Sequence, residues 1–223
     1  MLGAMLAATA ARAADPRVVV DPNAPPWNAV AKVQTNTGTR CTGVLIAPTV
    51  VLTAAHCLYN RRTGALLQPV SLHVLFGYQR AGYRWHGAVN RVVTGSGFDG
   101  GKRQPQAADW ARLDLAEPAP APHLPLFDGP VAAGLPVALA GYNRDRAQLL
   151  IGDLGCRVLR AAALPGGGQL VTHDCAGTLG TSGAPLLTRQ NGGWAVVGIN
   201  IAAGPNANLA LGPAPASLQA AKP

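Results

Sequence analysis

Charge and aromatic residues are both scarce in this sequence of 223 residues: 13% are charged and 5% aromatic. Low charge beside an apolar content of 48% excludes a disordered polyelectrolyte, which needs the opposite balance. Only one glutamate stands among the 10 acidic residues. After the first residues no window holds 18 consecutive apolar positions, so a soluble protein with no stable membrane anchor is expected. Four cysteines are too few for a disulfide scaffold but enough for two staples. Glycine and proline are plentiful, 27 and 19, with no fixed period. That excludes a fibrous repeat and argues against a helical bundle, toward short strands joined by many turns. A chain this long can bury a sizeable core, as one domain or as two small ones.

The net charge is +8 and 15 of the 18 basic residues are arginine. They are scattered; the nearest groupings are Arg61-Arg62, Lys102-Arg103, and Arg144 with Arg146. None is a basic run interleaved with aromatics, so the charge reads as a solvated surface and not as a nucleic-acid interface.

Residues 1–13 form an apolar stretch too short to span a bilayer, ending in Ala11-Arg12-Ala13, an A-x-A cleavage signal. The basic start of a signal peptide is missing, which fits a truncated signal or a misplaced start; a frayed apolar terminus is the alternative. With the cysteines, which suit an oxidising compartment, the segment predicts a secreted or periplasmic protein.

From residue 29 onward β-rich runs alternate with turn clusters, at 29–33, 43–46, 50–52, 72–76 and 89–93. Four prolines within 117–125 exclude a central strand or a helix there. Short runs resume at 137–141, 148–151, 156–159, 169–172, 184–187 and 194–201, and 217–221 could make one helical turn. The expected division is an all-β first unit over 14–117, a proline-rich linker over 118–130 and a second β unit over 131–223.

Three segments carry chemistry. The chain has only four serines, and Ser182 lies in the tight turn Gly180-Thr181-Ser182-Gly183 followed by a strand. A nucleophilic serine needs such a setting, exposed and next to free backbone N–H groups; a plain glycine turn is the bland alternative. A serine also needs a base. Of five histidines, His86 reads as a polar-loop residue and His123 lies among the prolines. His73 sits in an alternating strand, and His173, two before Cys175, reads as structural. His56 follows a buried apolar run and precedes a cysteine, so it should be held firmly at a strand end. A carboxylate must then fix its ring. Asp109 heads Trp110-Ala111-Arg112-Leu113, where a strand should enter the core and an acid must have partners; Asp114, further along, reads as a surface ion pair.

The order His, Asp, Ser with Thr53-Ala54-Ala55-His56-Cys57, Asp109-Trp110-Ala111-Arg112-Leu113 and Gly180-Thr181-Ser182-Gly183-Ala184-Pro185 resembles the chymotrypsin-like serine proteases over about residues 27–205. Softer features resemble the bacterial glutamyl-endopeptidase-like branch: Pro25-Pro26-Trp27, Ala140-Gly141-Tyr142 and His173-Asp174-Cys175. The resemblance implies two six-stranded antiparallel Greek-key barrels with the active site in the cleft between them. It implies His56 as general base, Asp109 as its orienting partner, Ser182 as nucleophile, and the N–H groups of Gly180 and Ser182 as oxyanion hole. It implies the pairs Cys41–Cys57 and Cys156–Cys175; four cysteines alone allow three connectivities, and the absence of a close Cys-x-x-Cys pair speaks against zinc. The substrate would be a polypeptide laid along Ile201, Ala202 and Ala203, cleaved by a monomer without cofactor or metal.

Two departures matter. Many relatives carry an aspartate before the nucleophile, which pairs with a freed N-terminal ammonium; here Thr181 stands there, and Arg17-Val18-Val19-Val20 is the nearest match to a mature start. Activity should not depend on that ion pair. The specificity pocket is expected to have Ala176 at its base, Gly177 and Thr178 beside it, and Asn200 opposite. It offers no acid for Lys or Arg, and Asn200 replaces the histidine typical of glutamyl endopeptidases, so a small or medium apolar side chain is expected. A catalytically inactive homologue that uses the cleft for binding is the alternative function. An esterase on another fold is disfavoured because Ala184-Pro185 follows Ser182-Gly183 and His56 precedes the serine.

Overall fold

The computed structural model describes residues 14–165, 167–204 and 207–212. The expected signal segment 1–13 and the helical turn at 217–221 lie outside these residues. Alternating and β-branched runs become 13 strands, and the only helical pieces among the described residues are five short 3₁₀ turns.

The first barrel is built from β2 (Val30–Thr35), β3 (Arg40–Ala47), β4 (Val50–Thr53), β5 (Leu72–Phe76), β6 (Trp85–Thr94) and β7 (Ala111–Leu115). It closes in the order β2-β3-β4-β7-β6-β5. The second contains β8 (Pro136–Gly141), β9 (Ile151–Ala163), β10 (Gln169–His173), β11 (Pro185–Gln190), β12 (Gly193–Ala203) and β13 (Asn208–Gly212). These run β9-β10-β13-β12-β11-β8, and β8 pairs back onto β9. Both barrels therefore repeat one antiparallel Greek-key order, and closure leaves neither with a long open edge. The sequence run at 156–159 and the last residue of the run at 148–151, Ile151, belong to the single strand β9, with residues 148–150 outside it, and β13 carried no separate sequence signal.

Exposure follows each strand's place. β6 alternates over residues 85–90, with Gly87 and Val89 buried between exposed neighbours, whereas Val50–Thr53 of β4 is buried throughout. β12 is buried over most of its length because it lies beneath both its own barrel and the strap that joins the two. One apolar cluster fills the first barrel and reaches Ala138, Ala140, Tyr142 and Ile199 of the second, so the barrels share a packed boundary. A smaller cluster around Leu139, Val158, Val171 and Leu186 fills the second barrel.

The proline-rich strap is fastened at both ends. Ala119 N–H donates to Pro48 O (2.8 Å) and Leu124 N–H to Leu45 O (3.0 Å) on the first barrel. Val196 N–H donates to Pro125 O and Phe127 N–H to Val196 O, both 2.9 Å, on the second. The N-terminal segment departs from the division expected from sequence. β1 (Val18–Val19) pairs with Gly152 and Ile151 of β9, so residues 18–19 extend the second sheet and not the first barrel. Trp27 follows the same path, its ring 6.0 Å from that of Trp194 on β12.

Candidate active site

The buried run of β4 ends in a 3₁₀ turn, Ala55–Leu58, that carries His56. The turn is anchored by the disulfide Cys41–Cys57, which ties it to β3. Asp109 ends a second 3₁₀ turn, Gln106–Ala108, just before β7. Its carboxylate accepts twice from His56: Oδ1 from the backbone N–H at 2.9 Å, and Oδ2 from ring Nδ1 at 2.7 Å. The two side chains are 6% and 5% exposed. An ionised carboxylate can only accept, so Nδ1 donates its proton to Asp109; in the neutral ring Nε2 then carries the lone pair. The rival Asp114 is engaged elsewhere, accepting from Arg112 Nε at 2.6 Å.

Ser182 approaches from the second barrel, in the loop before β11. Gly180 has φ +99°, and a Cβ there would lie 2.2 Å from Tyr142 O. Gly183 has φ +78°, and a Cβ there would lie 2.1 Å from Thr42 O. Only glycine fits either place. Within the turn, the N–H groups of Thr181, Gly183 and Ala184 bond to Thr178 O, Asn200 O and Thr181 O. Among the described residues, the N–H groups of Gly180 and Ser182 donate to nothing. His56 and Ser182 line the same cavity, without a hydrogen bond between their side chains.

Thr42, fully buried on β3, ties this loop to the first barrel. Its N–H donates to Ser182 O (2.8 Å) and its hydroxyl donates to Gly180 O (2.9 Å). The same hydroxyl accepts from Tyr142 N–H (3.0 Å), and Thr42 O accepts from the Thr53 hydroxyl (2.7 Å). Sequence reasoning missed Thr42, because a threonine inside a β-run reads as strand propensity alone.

Beside Ser182 lies a cavity of about 310 Å³ whose lining brings together Thr178, Asn200, Ile201, Ala202 and Ala203. β11 begins at Pro185, opposite Ile199, so Ile201, Ala202 and Ala203 have no strand on that edge. Ala176 and Gly177 are placed differently from the expectation. They line a neighbouring cavity with Asp15, Arg17 and Asp174. Ala176 N–H is held by Asp153 Oδ2 at 2.8 Å, and Gly177 packs against Leu139, Thr181 and Asn208. Arg103, Gln106, Leu179 and Thr181 join the pocket lining instead. Leu179 and Thr181 come with the Ser182 turn itself, whereas Arg103 and Gln106 arrive on a loop far away in sequence that no local motif marks.

Behind the pocket, His173 is fully buried at the end of β10. Its Nε2 meets Asn200 Oδ1 at 3.1 Å, while Nδ1 has no hydrogen-bond partner among the described residues. Asn200 Nδ2 turns to Thr181 O and its hydroxyl, at 3.4 and 3.3 Å. The other histidines stay outside the cleft. His86 lies on β6, not in a loop, and its Nε2 is 3.1 Å from His73 Nδ1. His56, Cys41 and Cys57 cluster closely, but both sulfurs are tied in the disulfide and offer no thiolate to a metal. The second disulfide, Cys156–Cys175, fixes the start of the segment leading to Ser182 against β9.

An N-terminal arginine completes the surroundings. Arg17 reaches Asn143 Oδ1 (3.0 Å) and Asp145 Oδ2 (2.8 Å) in the loop after β8. Asn143 Oδ1 also accepts the Thr178 N–H at 3.0 Å, and Arg144 N–H donates to Leu179 O at 2.6 Å. The N-terminal segment thus braces the stretch leading to the Gly180–Gly183 turn.

Burial pushes the His173 pKa down from 6.5 to about 4, against the opposing bond to Asn200. Unfolded chains therefore bind a proton that the fold rejects, and the contribution of His173 to stability is complete above pH 6.5 and lost as pH falls through 4. The thermal midpoint should drop over that window, and His173→Gln should flatten the drop. An unchanged slope in the variant would contradict this assignment.

The comparisons fit this geometry. The sequence profile of the trypsin-like peptidase domain matches residues 41–199, which contain the His56, Asp109 and Ser182 segments. No curated protein matches the sequence. A structure of a Glu endopeptidase is similar over 93% of this chain and 94% of its own, with TM-score 0.72 and 20% identity. The VesB protease of Vibrio cholerae gives 0.64 at 15% identity, over 87% of this chain and 63% of its own. The thermostable serine protease AL20 from an extremophilic microorganism gives 0.63 at 22%, over 82% and 90%. At these identities the solved structures bear on the fold, a pair of barrels shared with this chain, while the matched profile carries the family. From barrels to motifs, the chain belongs to the trypsin-like peptidase family of serine proteases.

Proposed function

We propose that the chain is a secreted or periplasmic monomeric endopeptidase that hydrolyses peptide bonds through Ser182, His56 and Asp109 by way of an acyl-enzyme. The observation that carries this reading is the pair of hydrogen bonds that the Asp109 carboxylate accepts from His56, inside the cleft that holds Ser182. Nε2, freed of its proton, takes the proton of Ser182 as Oγ attacks the scissile carbonyl carbon. Negative charge then gathers on the carbonyl oxygen, where the unpaired N–H groups of Gly180 and Ser182 can receive it. The imidazolium is stabilised by Asp109 and gives its proton to the leaving amine. Water, activated the same way, releases the acyl group.

The open edge of Ile201, Ala202 and Ala203 suits a substrate backbone added as a strand. Asp109 is the one carboxylate on the pocket wall and is committed to His56, while Arg103 repels cations. A small or medium apolar side chain before the scissile bond fits this lining better than Lys or Arg. The two disulfides suit an oxidising compartment.

A fluorophosphonate probe tests the reading. It should label the wild-type protein at one serine and leave Ser182→Ala unlabelled. Folded wild-type protein that stays unlabelled while peptides still bind in its cleft would identify a non-catalytic homologue instead.

The Arg17 brace suggests that an N-terminal side chain supports the nucleophile turn without a freed ammonium. Protein beginning at Ala14 should be active as made. Protein beginning at Val18, which lacks Arg17, should lose activity by on the order of tenfold, equivalent to about 1.4 kcal/mol. Greater activity on starting at Val18 would show the opposite, activation by the new terminus.

A further inference from the structure

The proposed specificity pocket meets a second cavity of about 350 Å³ at Ser182, Leu179 and Arg103; the second is walled further by Cys41, His56, Tyr142 and Gly180. If the acyl half of a substrate lies along Ile201, Ala202 and Ala203, this second cavity receives the leaving-group half. Its lining contains Arg40, Arg61, Arg103 and Arg144, all exposed, and buried Lys32; it contains no Asp or Glu. The four arginines come from four separate places: the start of β3, the loop after the His56 turn, the loop before β7, and the loop after β8.

None of the four has a carboxylate within ion-pair distance among the described residues, which include every Asp and Glu of the chain. The acids nearest in sequence are turned away. Asp99 accepts from the N–H groups of Gly101 and Lys102 and pairs with Lys102 Nζ at 3.8 Å, leaving Arg103 unmatched. Arg103 itself is fixed in a closed turn, with φ +56° and its N–H on Asp99 O at 2.7 Å. Asp145, adjacent to Arg144, is taken by Arg17 and the Thr178 hydroxyl. Lys32 Nζ donates to Ala147 O at 3.2 Å and lies 3.6 Å from the centre of the Tyr78 ring, contacts that leave its charge without a counter-ion.

Like charges gathered around a concave, low-dielectric wall focus their field into it. Guanidinium groups in that position match carboxylates in shape and can bind them through two N–H donors at once. We propose that the leaving-group side of the cleft is an anion-binding channel that selects polypeptides with acidic residues just after the scissile bond. The inference rests on Ser182 being the nucleophile, and it adds a substrate class to that reading. It also gives the net charge of +8 a place: part of the excess faces the substrate.

The test uses internally quenched peptides that share the whole segment before the scissile bond. The three positions after the bond carry Asp and Glu, Ser and Gln, or Lys. At low salt kcat/KM should be about tenfold higher for the acidic than for the neutral series, lower again for the basic one, and the spread should shrink at high salt. The acidic-to-neutral ratio should fall toward one in the double variant Arg40→Ser, Arg144→Ser. The single variants Arg40→Ser and Arg61→Ser, both at exposed positions, give the same readout if the double variant does not fold. Equal kcat/KM for acidic and neutral peptides overturns the channel, as does an acidic preference that persists in the variants and at high salt. Cleavage without charge preference sinks this inference alone. No cleavage of any series, together with no labelling of Ser182, sinks the catalytic reading and this one with it.

Discussion

Asp109 meets His56 at two points, the backbone N–H and ring Nδ1, and the remainder of the cleft is arranged around that contact. A carboxylate this deeply buried needs compensating bonds, and the histidine turn supplies both of them. In return the ring is held by Nδ1 against Asp109, on the wall of the cavity that also contains Ser182. The contact also joins two segments of the first barrel that are far apart in sequence, the turn after β4 and the turn before β7. Neighbouring strands β4 and β7 set their spacing, with Thr53 opposite Ala111. The barrel is therefore the scaffold that brings His56 and Asp109 within bonding distance.

The second barrel has to deliver Ser182 to the same place, and buried polar contacts at the boundary do much of this. Thr42 uses its backbone N–H, its carbonyl and its hydroxyl at once, touching the Gly180–Ser182 turn, Tyr142 and Thr53. Hydrogen bonds at a shared apolar boundary fix register more sharply than packing does, because a displaced partner leaves a buried polar group unmatched. Arg17 braces the same region from the N-terminal side through Asn143 and Asp145. These contacts surround the turn in a chain where Thr181 stands before Ser182 and offers no charge.

Local signals made much of the architecture legible. Glycine and proline density with short β-rich runs pointed to an all-β chain, and the motifs around His56, Asp109 and Ser182 marked the residues that line the cleft. The prolines of 117–125 speak against regular structure, but the fastening of this segment to both barrels could not be read from them, since backbone hydrogen bonds leave no trace in residue identity. β1 was misplaced for a related reason: two valines near the start carry no record of which sheet edge they will meet. Ala176 and Gly177 were assigned to the pocket by their distance from Ser182, yet the Asp153 carboxylate draws the backbone of Ala176 to the other side of the wall. Arg103 and Arg144 looked like scattered surface charge because their convergence on one cavity is a property of loops that meet only in the fold.

The cleft divides its labour. One side is an open strand edge beside a weakly charged pocket, the other a channel rich in unpaired arginines, and the His56–Asp109 pair lies at their junction. The most direct measurement is the turnover of Asp109→Asn on a peptide that the wild-type protein cleaves. An asparagine can still accept from the His56 N–H but cannot hold the ring in the same tautomer or stabilise its charged form. The account predicts a fall in kcat of about four orders of magnitude, as in triads of this kind, with the folded state retained. A folded Asp109→Asn protein that turns over within a few-fold of wild type would contradict it.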